Sequence, residues 1–190
     1  YESVLENLEP ADYTALFEEA HAYNQALYQT EFPLINHDQV PGYYDALSIA
    51  DNEMIGYLKI DRIGVELPVY HSTSHEVLNK GVGHLEGSSL PVGGENTHCI
   101  LSAHRGLPSS KLFTDLDRVE KGDTFQITVL DQVLTYQVDF IKIIEPTDTT
   151  DLQIIEGGDY CTLFTCTPYG INSHRLPVRG LRVETPKEKP

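Results

Sequence analysis

The chain has 190 residues, and Lys+Arg 13 against Asp+Glu 29 give a formal charge of -16. A domain of this length buries roughly 70% of its unfolded surface, and 40% hydrophobic with 22% charged residues is a globular composition rather than a disordered one. The acid excess argues against nucleic acid and anionic membranes as default partners, because both would repel it. The acids are uneven: residues 1–53 hold eleven Asp and Glu and no Lys or Arg, whereas residues 54–190 hold eighteen acids and all thirteen bases.

Tyr13, Leu16, Phe17, Ala20, Tyr23 and Leu27 recur at three- and four-residue intervals, which predicts an amphipathic helix over 10–28 with Glu18, Glu19 and Asn24 on its polar face. Pro10 suits its first turn. Residues 30–52 lose this period and carry Pro33, Pro41 and Gly42, so they read as a long irregular connection. Short strands follow at Gly56–Ile60 and Val65–Tyr70, with a turn around Asp61–Gly64. Phe125, Ile127 and Val129, then Leu134, Tyr136, Val138 and Phe140, alternate with polar residues and predict a hairpin turning at Asp131-Gln132. Further strands are expected at His98–Ala103, Tyr160–Cys166 and Arg175–Val183, with short helices near 75–79, 111–118 and 149–154. The fold class is mainly β, a barrel or sandwich with helical insertions behind a helical arm, and 186–190 reads as a frayed tail. No apolar run approaches the ~20 residues of a spanning helix. The start at Tyr1 rather than Met suggests an excised soluble portion whose flanking anchors lie elsewhere.

Three cysteines are too few for a disulfide framework and match no zinc spacing. Cys166 ends an apolar run just before Thr-Pro-Tyr-Gly, so its thiol is held by a strand and exposed at a loop. Cys161 lies five residues earlier on the same strand, on the opposite face and too far away to bridge to it. Cys99 and Cys161 read as small buried hydrophobes. A nucleophilic thiol needs a proton partner, and His98, His104 and His174 all stand at strand ends, unranked by local pattern. His71 and His75 with Glu76 lack a completing cluster for a metal. Arg175, nine residues beyond Cys166, returns beside the thiol if the two strands are neighbours, and there its fixed charge could stabilise a thiolate or an oxyanion.

Thr162-Leu-Phe-Thr-Cys166, followed by Thr-Pro-Tyr-Gly-Ile-Asn-Ser-His-Arg175, resembles the active-site strand and catalytic arginine of sortases. The segments Gly81-Val-Gly-His-Leu-Glu-Gly-Ser-Ser-Leu-Pro-Val-Gly-Gly-Glu-Asn-Thr-His98 and Leu101-Ser-Ala-His104-Arg-Gly-Leu-Pro-Ser resemble the class C, pilin-polymerising branch, with matches in order from Met54 to Val183. The resemblance selects His104 over His98 and His174. It implies an eight-stranded sortase β-barrel over 54–184, preceded by an acidic helix and lid-like segment over 1–53 and followed by a tail over 185–190.

The implied enzyme is a cysteine transpeptidase without a cofactor or metal, anchored on the outer face of a Gram-positive cell, with this chain as a monomeric ectodomain. Its partners would be a Leu-Pro-x-Thr-Gly-type sorting signal and a lysine of the next pilin subunit. Catalytic roles fall to His104, Cys166 and Arg175, and a substrate-backbone contact to Thr165. Class C enzymes commonly carry an Asp-Pro-aromatic lid. This sequence has no Asp-Pro, and its nearest lid candidates are Phe32, Asp38, Tyr43, Tyr44 and Asp45. The acidic arm, folded back, could face Arg105 and Arg175 over the barrel mouth. Two other readings use the same residues: a sortase of another class that attaches proteins to peptidoglycan, and a noncatalytic surface β-domain of a pilus or adhesin.

Overall fold

Two opposed periods, near 3.6 residues in the first quarter and 2 beyond it, build the two parts of the molecule. The computed structural model describes residues 1–49, 54–107 and 110–186. In chain order these form helices α1 (Glu2–Leu5), α2 (Pro10–Tyr28) and α3 (Pro33–Asn36), strands β1 (Met54–Ile60) and β2 (Val65–His71), and helix α4 (His75–Leu78). Strands β3 (Val82–His84), β4 (Thr97–Ser102), β5 (Arg105–Leu107), β6 (Ser110–Leu112), β7 (Thr124–Val129), β8 (Gln132–Ile141), β9 (Asp159–Thr167) and β10 (His174–Val183) follow. A closed eight-stranded barrel takes the order β1-β2-β3-β4-β9-β10-β8-β7, and β5 pairs with β6 in a separate ribbon. Closure leaves the barrel no unpaired edge. The expected eight-stranded barrel is therefore the observed one.

Helix α2 has the expected bounds, with Pro10 in its first turn and the Glu9 amide donating to Asp12 Oδ2 at 2.8 Å. Phe17, Ala20, Tyr23 and Leu27 are buried in the same apolar cluster as Leu58, Phe125 and Leu163 of the barrel, while Glu18 and Glu19 face out. Asn24, expected on the polar face, is buried: its side chain donates to the Leu90 carbonyl at 3.2 Å and accepts from the Leu90 amide at 2.7 Å. That two-point bond satisfies a backbone segment with no strand partner of its own, which is why a polar side chain belongs there.

The β7–β8 hairpin turns one residue earlier than expected. Val129 pairs with Gln132, so Leu130 and Asp131 make the turn, with Leu130 at φ 55°. Leu130 is 2% exposed, and burying a leucine (about 1.5–3 kcal/mol) offsets a left-handed backbone (about 1–2 kcal/mol). Strand β3 escaped the sequence because three residues show no period. The segment 111–118 is not a helix: it begins inside β6, and its helical part is the single 3-10 turn Leu116–Arg118. The connection after α2 holds α3 and a 3-10 turn at His37–Gln39 within otherwise irregular chain, and its residues 50–53 lie outside those described. Of the expected tail, Thr185 is tied to β8 by bonds to Thr135 Oγ1 (2.9 Å) and the Val133 carbonyl (3.0 Å), and 187–190 lie outside the described residues.

Close approach fixes two glycines. A Cβ on Gly180 would stand 2.7 Å from Tyr136 Cβ and 2.8 Å from Phe125 Cε1, where β10 slips register against β8. A Cβ on Gly87, already at φ 100°, would stand 2.9 Å from both Leu34 Cα and the Pro33 carbonyl oxygen. The segment after α2 is thus laid against the loop that follows β3.

Candidate active site

Strands β4, β9 and β10 are neighbours; Cys166 lies on β9, Arg175 on β10, and His104 two residues past the end of β4. β4 and β9 run parallel, in register from Thr97↔Asp159 to Ser102↔Phe164, and the Ala103 amide extends the ladder to the Phe164 carbonyl at 3.2 Å. One residue further comes His104, just past the end of β4, while Cys166 is the next-to-last residue of β9. β10 runs antiparallel to β9, with Arg175 the direct partner of Cys166. Directly opposed residues present their side chains on one face, with Cβ atoms about 4.5–5.5 Å apart. The nine-residue spacing of Cys166 and Arg175 therefore does bring them side by side.

His104, Cys166 and Arg175 line one cavity of about 280 Å³. Leu78, Leu85, Ile100, Ala103, Leu152 and Phe164 form its apolar wall, while Thr73, Ser102 and Thr165 add hydroxyl groups. Cys166 is partly buried and free. Thr165 also lines the cavity but is itself 2% exposed, and its hydroxyl donates to the Ala103 carbonyl at 2.7 Å, so the hydroxyl proton stitches β9 to the exit of β4. The Arg175 guanidinium donates through Nη1 to the carbonyls of Asn172 and His174, each at 3.0 Å, which holds its stem across the β9–β10 turn.

The rival histidines lie elsewhere. His98 is fully buried, with Nδ1 2.8 Å from the Gln153 carbonyl and Nε2 2.6 Å from Thr162 Oγ1. Burial holds its pKa below the ordinary 6.5. His174 lies nearer the surface, 3.2 Å from Glu145 Oε1. Cys99 and Cys161 are buried partners, hydrogen-bonded to each other, and burial pushes the Cys161 thiol well up. Among the described residues no group of three His, Cys, Asp or Glu side chains is arranged to hold a metal ion, and no helix is long and apolar enough to cross a membrane.

None of Phe32, Asp38, Tyr43, Tyr44 or Asp45 lines the cavity. Phe32 and Tyr44 are 62% and 61% exposed. Tyr43 is buried: its hydroxyl lies 2.7 Å from His84 Nδ1 and 3.1 Å from the His84 carbonyl, and accepts from the Ser72 amide at 2.9 Å. It anchors the N-terminal segment to β3 and to the end of β2. Arg105 faces Asp117 rather than an acid of the arm, at 3.2 Å. Its side chain is 6% exposed, and an arginine after a strand carries no sequence mark of being inside.

A sortase domain matches residues 58–183, two thirds of the chain, and the chain belongs to the sortase family. Its structural neighbours are class C sortases. Sortase C1 of Streptococcus agalactiae, in complex with MTSET, is 44% identical, covers 99% of this chain and 98% of its own, and has a TM-score of 0.91. Sortase C of Streptococcus pneumoniae is 46% identical, with coverage of 97% and 95% and a TM-score of 0.88. Sortase D of Bacillus subtilis is 32% identical over 131 residues, which make up 67% of this chain and 63% of that protein. The chain thus spans under two thirds of the length of this curated relative.

Proposed function

We propose that this chain is the catalytic portion of a cysteine transpeptidase that cleaves a Leu-Pro-x-Thr-Gly-type sorting signal between Thr and Gly and joins the new acyl end to a lysine amine of a pilin subunit. The observation that carries the reading is the pairing of Cys166 with Arg175 at the mouth of a cavity that His104 also lines. The Cys166 thiolate attacks the Thr carbonyl, and the carbonyl π electrons move to oxygen. The Arg175 guanidinium stabilises that oxyanion and holds the substrate backbone. Collapse breaks the C–N bond, and the imidazolium of His104 gives its proton to the departing Gly amine. The thioacyl carbon is then attacked by the lysine amine, which loses a proton to His104. Cys166 leaves as thiolate, and an isopeptide bond remains. The apolar wall suits the Leu and Pro side chains of such a signal, which extended peptide places at fixed spacing.

The pilin acceptor is supported by the likeness to a Streptococcus pneumoniae sortase C described in terms of pilin substrate specificity. The site of action that follows is the outer face of a Gram-positive cell. A sorting-signal peptide incubated with the chain should leave a covalent adduct on Cys166 by intact-protein mass spectrometry, absent in Cys166→Ala. Offering a pilin lysine peptide against a cross-bridge amine then separates pilus polymerisation from attachment to peptidoglycan.

A further inference from the structure

The ladder between β4 and β9 stops at the Ala103 amide, one residue short of His104. Past that point the His104 backbone is held from the other side, where its carbonyl accepts from the Phe113 amide at 3.1 Å. The next side chain resumes the attachment to β9. Arg105 is 6% exposed at its side chain and reaches three ways. Nη1 donates to Thr167 Oγ1 at 2.9 Å and to the Cys166 carbonyl at 3.4 Å. Nε donates to the Thr114 carbonyl at 3.1 Å, and Nη2 meets Asp117 Oδ1 at 3.2 Å. Thr114 and Asp117 belong to a loop pinned in the core by Phe113 and Leu116, both fully buried.

We propose that Arg105 is a positioning residue: its guanidinium holds the Cys166 carbonyl and the Thr167 hydroxyl against the main chain that carries His104, and so sets the distance between imidazole and thiol. The inference rests on the roles given above to His104 and Cys166. Three features favour positioning over a generic ion pair. A buried guanidinium is costly unless its donors are satisfied, and here they are satisfied by the Cys166 carbonyl with the adjoining Thr167 hydroxyl, and by the loop behind His104. The planar fork serves three directions at once, which an ammonium cannot. Arg105 also does not line the cavity, so it has no direct claim on substrate. A displacement of an ångström between reacting groups is enough to cost about 100-fold in rate.

The experiment follows thioacyl formation from a sorting-signal peptide by Arg105→Met, Arg105→Lys and Asp117→Asn, alongside thermal melting and alkylation of Cys166 by a small uncharged reagent at high pH. Arg105→Met should lower the acylation rate roughly 10- to 100-fold while KM stays within about threefold and the thiol is still alkylated, the split expected for lost transition-state geometry. Arg105→Lys should recover little of the loss. If Arg105→Met does not fold, Asp117→Asn decides, because it keeps the arginine and removes only a half-exposed counter-charge. That variant should lose several-fold in rate with little change in KM. Wild-type acylation rates with a lowered Tm would make Arg105 merely structural, and a raised KM with unchanged rate would make it a substrate contact; either overturns the proposal. An absence of adduct with the unaltered protein, or an adduct surviving Cys166→Ala, would instead overturn the transpeptidase reading.

Discussion

Cys99 and Cys161 are direct partners across two parallel strands, and each lies five residues before a residue of the site, His104 on one strand and Cys166 on the other. The thiol pair is therefore a rung of the β4–β9 ladder inside the barrel, whereas His104 lies just past the end of that ladder and Cys166 near the end of β9. Both thiols of the inner rung are buried, and Cys166 is only partly so. In the folded protein an alkylating reagent should modify Cys166 alone, and Cys166→Ala should take up none. Unfolding in denaturant should release all three sites in the parent chain. Labelling of Cys99 or Cys161 under native conditions would contradict their burial.

Arg175→Lys should be far from silent. A point charge on a flexible stem cannot keep both carbonyl bonds across the β9–β10 turn and also face an oxyanion. Loss of a preorganised donor of this kind costs on the order of 100- to 1,000-fold in rate. Single-turnover acylation measures it, and a value within a few-fold of the parent would remove Arg175 from the mechanism.

His98 makes stability depend on pH in a definite direction. Burial, with Arg179 acting the same way and Asp139 and the Gln153 bond opposing, holds its folded pKa below 6.5. Below that pH the unfolded chain binds the proton more readily, so the stability present above 6.5 is lost as pH falls through it towards the folded value. Each unit of depression corresponds to about 1.4 kcal/mol. The Tm should fall between neutral and mildly acidic pH, and His98→Gln should flatten that slope; equal slopes would show that other groups control it.

Tyr43 and its exposed neighbours should behave differently. Tyr43→Phe removes the hydroxyl that meets His84 and the Ser72 amide, leaving buried groups unpaired at a cost of about 1–3 kcal/mol. Phe32→Ala and Tyr44→Ala remove exposed rings and should stay within roughly 0.5 kcal/mol of the parent in denaturant melts. Neither ring lines the cavity, so peptide turnover by these two variants should match the parent. Faster turnover would show instead that they obstruct it.

Gly180→Ala tests the closed barrel. The new methyl group would be driven against Tyr136 and Phe125, whose rings stack at 5.7 Å, and overpacking of this sort costs about 1–3 kcal/mol. Chemical denaturation reads the loss, and an unchanged midpoint would mean that the register slip at Gly180 can relax.

Period and motif carried most of the architecture. Helix α2 and strands β7 to β10 were legible because each has enough residues for its period to repeat, whereas β3 has three and β6 sits in a segment whose composition favours a helix. At the site, the motif around Cys166 and Arg175 announced itself through its position at a strand end and the return spacing. The histidine did not: His98, His104 and His174 are equivalent in local pattern, the family resemblance alone selected His104, and strand register is what separates a core histidine from a rim one. Asn24, Tyr43 and Arg105 share a further reason for being misread. Each is a polar side chain buried to satisfy backbone from a distant part of the chain, and sequence order does not show which carbonyl or amide lacks a partner.

The bond between Asn24 and Leu90 joins residues 66 apart. Contacts of such span close late, after the local hairpins have formed. Helix α2 is therefore expected to dock after the β7–β8 hairpin has formed, sealing the apolar cluster rather than starting the fold. Pulsed hydrogen exchange during refolding should protect the amides of β7 and β8 before those of α2. A chain cut after residue 50 would lack this final seal, and its failing would be an unfinished core rather than an uncovered thiol.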